Sequence, residues 1–95
     1  MRVRYTPRAF ADREAIFANL ERRNSRVARE MKAYVKKRIN ELALFPRKYR
    51  FIKELGAHAL WLGRYPYIVY YRVRNDEIIV LHIRHAAQRQ WEGDG

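Results

Sequence analysis

Residues 67–84 constrain the fold most. Two eight-residue runs, Tyr67 to Arg74 and Glu77 to Arg84, are rich in Val, Ile and Tyr and separated only by Asn75-Asp76. Both turn residues tolerate left-handed backbone angles, so the junction predicts a two-residue hairpin. Pairing outward sets Val73 opposite Ile78, Tyr71 opposite Val80 and Val69 opposite His82 on one face. The other face pairs Arg72 with Ile79, Tyr70 with Leu81 and Ile68 with Ile83. Both faces are substantially apolar, which predicts helices on one side and a partner on the other. A third β-like run, His58 to Tyr65, extends the sheet, with Trp61 expected to pack in it and Trp91 expected to be exposed for contact.

The N-terminal half reads as helical. Arg2 to Tyr5 alternates polar and apolar residues as a short strand, and Thr6-Pro7 then supplies a hydroxyl cap and a first helical residue that needs no N–H partner. Phe10, Ile16, Phe17 and Leu20 recur near helical spacing up to about Arg23, and Asn24-Ser25 offers a stop and a new cap. In the second helix Val27, Met31, Val35, Ile39 and Leu42 form one stripe, while Arg26, Arg29, Lys32, Lys36 and Lys37 fall largely on the opposite side. Arg38 lies at the apolar edge and reads as a snorkelling side chain. Past Phe45-Pro46, residues 47–53 mix basic and aromatic side chains in an irregular connection. The expected class is α+β in the order β-α-α-β-β-β, an antiparallel helical hairpin packed on one face of a small antiparallel sheet.

At 95 residues this is a single-domain length, and residues 1–95 read as one domain in which nearly every long apolar side chain must serve one core. Cysteine is absent, so neither a disulfide framework nor a thiolate metal site supports that core. No segment approaches membrane-spanning length, which makes a cytoplasmic protein without a membrane partner the default expectation. The net charge of +11 suggests a polyanionic or acidic partner, and it is concentrated: residues 22–53 hold twelve basic and two acidic side chains. Phosphate-cradling glycine loops, metal-ligand spacings and nucleophile elbows are missing, so no cofactor or metal is expected.

The block LGRYPYIVYYRVRNDEIIVLHIRHAAQRQW resembles the C-terminal block of the RelE/ParE toxin superfamily. The matching features are Arg64, Tyr65 to Tyr67, Val69 to Val73, the acidic turn Asn75 to Glu77, Ile78 to Ile83, His85 and Arg89. An Ala-rich first helix and a second helix closing in Leu-Ala-Leu-Phe-Pro are also similar to that family. The resemblance implies the toxin of a type II toxin-antitoxin pair, used in plasmid stabilization and growth arrest. Its partner would be a cognate antitoxin with an acidic, amphipathic C-terminal segment, in a hetero-oligomer. Contacts to it are expected at Arg29, Lys32, Lys36, Arg64 and Arg72.

Two mechanisms follow from the resemblance. A RelE-like member cleaves messenger RNA on the ribosome, which needs proton transfer and phosphate donors; His85, Arg64 and Arg84 are the foremost candidates, with His82 a second proton carrier, Arg89 a further phosphate donor, and Lys48, Arg50 and Lys53 lining the approach. His82 reads more readily as a strand residue on a partly buried face. A ParE-like member poisons DNA gyrase without chemistry of its own, and Arg84, His85, Arg89 and Trp91 would make the target contacts. The segment after His85 lacks a tyrosine to supply a phenol, and the His-x-x-x-Arg ending is closer to ParE, so gyrase is the favoured target. A basic nucleic-acid-binding module without toxicity would explain the charge but not the C-terminal block.

Overall fold

The computed structural model describes residues 1–93. Strand β1 (Arg2–Tyr5) leads into α1 (Pro7–Arg23) and α2 (Ser25–Glu41), followed by β2 (Phe51–Ile52), β3 (Ala57–Trp61), β4 (Tyr67–Arg74) and β5 (Glu77–His85). Both caps form as the sequence requires. The Thr6 hydroxyl accepts from the Ala9 N–H at 3.1 Å, and the Asn24 side chain accepts from the Val27 N–H at 3.2 Å. Asn24 also closes α1 through its own N–H to the Leu20 carbonyl, so one residue ends one helix and starts the next.

The strands form one sheet in the order β1-β5-β4-β3-β2. Its β2 to β5 part is antiparallel, whereas β1 runs parallel to β5 and makes the sheet mixed. Two short features depart from the sequence expectation. The third run yields a strand only from Ala57 to Trp61, because Gly63 takes a positive φ of 76° and turns the chain. Inside the expected irregular connection, Phe51–Ile52 adds a two-residue edge strand.

The helices cover one face. Met31, Val35, Ile39 and Leu42 of the predicted stripe meet Leu60, Val69, Tyr71, Ile78, Val80 and Ile83 in the main core. Each such fully buried side chain contributes roughly 1.5–3 kcal/mol of transfer free energy. The opposite face carries a smaller cluster of Ala59, Ile68 and Tyr70, covered by Ile52, Leu55 and Trp91. Part of the face expected to await a partner is therefore closed by the chain's own C-terminal segment.

The hairpin register holds near its turn and fails beyond it. Asn75 takes φ 53°, as the tight turn requires, and Val73 pairs with Ile78, Arg72 with Ile79 and Tyr71 with Val80. A bulge then intervenes, leaving Leu81 unpaired and setting Tyr70 opposite His82, Val69 opposite Ile83 and Ile68 opposite Arg84. The expected pairs Val69–His82, Tyr70–Leu81 and Ile68–Ile83 are thus each one residue out. The physical result is a change of face: Ile83 joins the helix-side core, and His82 and Arg84 move to the far side with Tyr70.

Candidate functional site

A four-residue β1 reaches only from Glu77 to Val80 along β5. The remaining edge of β5 is satisfied by α1 instead. The Thr6 hydroxyl donates to the Leu81 carbonyl at 3.2 Å, and the Asp12 carboxylate accepts from the Ile83 N–H at 3.1 Å. The same Asp12 oxygen lies 2.6 Å from Nδ1 of His82. His82 is only 6% exposed and packs in a three-ring cluster with Tyr70 and Trp91, with centroids 6.0 and 5.1 Å away. One carboxylate therefore seals a strand edge and anchors the imidazole under the C-terminal segment.

Between α1 and this half of β5 lies a cleft of about 830 Å³ whose walls include Asp12, His82, Arg84, His85, Arg89 and Trp91. All four expected target contacts, Arg84, His85, Arg89 and Trp91, come together here. Their roles differ. Arg84 is buried, and its guanidinium donates to the Tyr70 hydroxyl at 3.0 Å and the Gln88 carbonyl at 2.9 Å, with longer contacts to the carbonyls of His85 and Ala86 at 3.4 Å. Its donors hold the turn that follows β5. His85 receives the Ala87 N–H at Nδ1 (2.9 Å), which places the neutral ring's proton on Nε2, and its ring meets Tyr67 edge-on at 5.1 Å. Arg89 is exposed, and no ion pair among the described residues engages it. Trp91 is half-buried against Tyr70, at 4.9 Å between centroids, rather than standing free in solvent.

Of the alternative trio, His85 and Arg84 line the cleft. Arg64 is absent from the cleft wall and instead lies over the rings of Tyr34 and Tyr65, 5.8 and 5.6 Å from their centroids. Tyr34 belongs to a ladder that the sequence did not reveal. Its hydroxyl donates to the Leu62 carbonyl, and Arg38 donates to that same carbonyl at 3.0 Å, to Tyr34 at 3.1 Å and to the Tyr49 hydroxyl at 3.2 Å. Burial alone would lower the Arg38 pKa, but the hydrogen bonds with Tyr49 and Tyr34 hold it above the usual arginine value. Arg38 is a junction between α2, the turn that follows β3 and the connection from α2 to β2, not a snorkelling side chain.

The five expected antitoxin contacts do not share one surface. Arg29, Lys32 and Lys36 are exposed on the outside of α2, with Lys32 reaching over Phe17 at 5.8 Å. Arg72 lies on the far face of the sheet, where it donates to the carbonyls of Gly56 at 3.0 Å and Leu55 at 3.4 Å. Trp61, expected within the sheet packing, is 57% exposed on that far face near the end of β3. Asp12 and His58 were not singled out by sequence, because each acquires its role from a partner distant along the chain.

No described helix is long and apolar enough to cross a membrane, and no group of three potential metal ligands occurs among the described residues. Among families, the model of the ParE toxin of type II toxin-antitoxin systems (parDE) matches residues 3–90. A solved structure described as the chromosomal ParDE TA system from P. aeruginosa contains a chain of the same fold, with TM-score 0.75 and 24% identity over 90% of this chain and 95% of that one. Among curated proteins, no sequence matches.

Proposed function

The chain belongs to the ParE toxin family of type II toxin-antitoxin systems, and from that membership we propose that it poisons DNA gyrase and blocks replication until a cognate antitoxin neutralises it. The observation that carries this reading is the cleft beside β5. It collects Arg89, His85 and Trp91 on a segment that Arg84 clips in place, which favours recognition by charge and shape. A ribonuclease would need proton-transfer and phosphate-binding groups around one reacting atom, and Arg64, which lies over the Tyr34 ring and not in the cleft wall, lends that arrangement no support.

The antitoxin is proposed to carry an acidic, amphipathic segment whose charges meet Arg29, Lys32 and Lys36, forming a hetero-oligomer. Exposed cations along one side of α2 would steer such a segment and raise its association rate.

The deciding experiment scores purified toxin for gyrase-linked DNA breaks and, in parallel, for cleavage of ribosome-bound message. DNA breaks are expected, and Arg89→Glu should reduce them more than His85→Ala does. Message cleavage without DNA breaks, lost in His85→Ala, would overturn the proposal in favour of the ribosome.

A further inference from the structure

Residues 44–53 form the most unusual surface outside the cleft. They contain four cations, Arg47, Lys48, Arg50 and Lys53, and no acidic residue. Phe45 is 64% exposed and Phe51 is 55% exposed, although rings of this size ordinarily find cover in a small domain.

The segment is nevertheless firmly held. The Tyr71 hydroxyl donates to the Pro46 carbonyl at 2.8 Å, and Nδ1 of His58 lies 2.9 Å from the Tyr49 carbonyl. The Ala59 N–H donates to the Arg50 carbonyl at 2.8 Å, while Lys48 N–H closes a turn onto Phe45 at 3.2 Å. Arg38 fixes the Tyr49 hydroxyl at 3.2 Å. These bonds consume backbone groups and one phenol, so the cations and the two phenylalanines are left facing water. His58 packs edge-on against Phe51 at 5.1 Å and supports the ring without covering it. Among the described residues no ion pair neutralises Arg47, Lys48, Arg50 or Lys53.

We propose that this surface binds single-stranded nucleic acid, with the cations on phosphates and the rings of Phe45 and Phe51 stacking on unpaired bases. Cations interleaved with exposed aromatic rings match the backbone and the bases of a single strand at once, whereas the base faces of a duplex are already stacked. Because the segment is pinned before any ligand arrives, little ordering entropy is lost on binding. The proposal does not depend on gyrase as target, since the surface lies apart from the cleft.

The test is fluorescence anisotropy of a labelled oligothymidylate titrated with purified toxin at several salt concentrations. With four phosphates engaged, the logarithm of the binding constant should fall with the logarithm of salt at a slope of about −3. The double variant Lys48→Glu/Arg50→Glu should weaken binding and flatten that slope. Phe45→Ala and Phe51→Ala should each weaken binding by about 5- to 150-fold while leaving the slope nearly unchanged. Circular dichroism of every variant should match wild type, because the altered side chains are exposed. Equal binding by the phenylalanine variants, tighter binding to a duplex of the same length, or an equal loss from Arg29→Glu/Lys32→Glu would each overturn the proposal.

Discussion

Replacing Arg84 by alanine should unfasten the C-terminal segment and cost the domain much of its stability. The guanidinium makes two good hydrogen bonds, to the Tyr70 hydroxyl at 3.0 Å and the Gln88 carbonyl at 2.9 Å. Bonds from a charged donor contribute roughly 1.5–3 kcal/mol each, and the two contacts at 3.4 Å are too long to count fully. Water at the cleft rim replaces part of the loss at Gln88, leaving a cost of about 2–5 kcal/mol. A chain of this length has only about 5–14 kcal/mol in hand, so the midpoint of thermal unfolding should fall by at least about 10 °C. Arg84→Lys should recover part of that, since an ammonium keeps the charge but lacks the forked donors. Arg89→Ala, an exposed change nearby, should stay within about 0.5 kcal/mol of wild type. Melting followed by circular dichroism, and by Trp91 fluorescence in a Trp61→Phe background, measures both effects. If Arg84→Ala melted within about 2 °C of wild type, the clip would be decorative and Arg84 would return to the list of target contacts.

Three other expectations follow from the geometry. Burial pushes the Tyr71 hydroxyl up to about 12, with Tyr49 adding to the shift, so the folded state holds this proton more tightly than the unfolded chain. The resulting stability is present below pH 10 and lost as pH rises from 10 to 12. Unfolding free energies across that range should fall by about 2–3 kcal/mol more in wild type than in Tyr71→Phe, and parallel curves would refute the linkage. Deleting the bulged Leu81 should leave a folded toxin, since His82 already follows Val80 in the ladder, whereas deleting Ile83 should drive Arg84 into the core and unfold it; an unfolded Leu81 deletion would contradict the bulge. Reversing Arg29, Lys32 and Lys36 to glutamate should slow antitoxin association and flatten its salt dependence in stopped-flow measurements, with unchanged rates marking the α2 face as merely solvated.

What the sequence made legible was local. Thr6-Pro7 and Asn24 mark helix starts by chemistry that acts within three residues, and the stripe from Met31 to Leu42 follows from helical periodicity alone. Asn75 likewise declares its turn. The bulge at Leu81 is invisible because Ile78 to Leu81 is continuously apolar, so no polar residue shows where the alternation slips. That slip decides the faces of His82 and Arg84, and with them the structure of the cleft. The family resemblance offered Arg84, His85, Arg89 and Trp91, which line one cleft, but Arg84's use as a clip requires Tyr70 fourteen residues earlier. Asp12 reaches His82 across seventy residues, a pairing no spacing rule anticipates. Trp61 resembles a sheet residue in composition and is exposed because β3 ends there.

The parallel pairing of β1 with β5 also governs the order in which the molecule is built during synthesis. Arg2 to Tyr5 leave the ribosome 75 residues ahead of their partners Glu77 to Val80. The helical hairpin likewise waits for Val69, Tyr71, Ile78 and Val80 before it has a surface to bury against. A nascent chain is thus held unfinished until its last strand emerges, with one strand and two amphipathic helices unpaired in the interval. Truncation within β5 should remove the whole domain rather than only its end, and a translating ribosome should release competent toxin in a single late step.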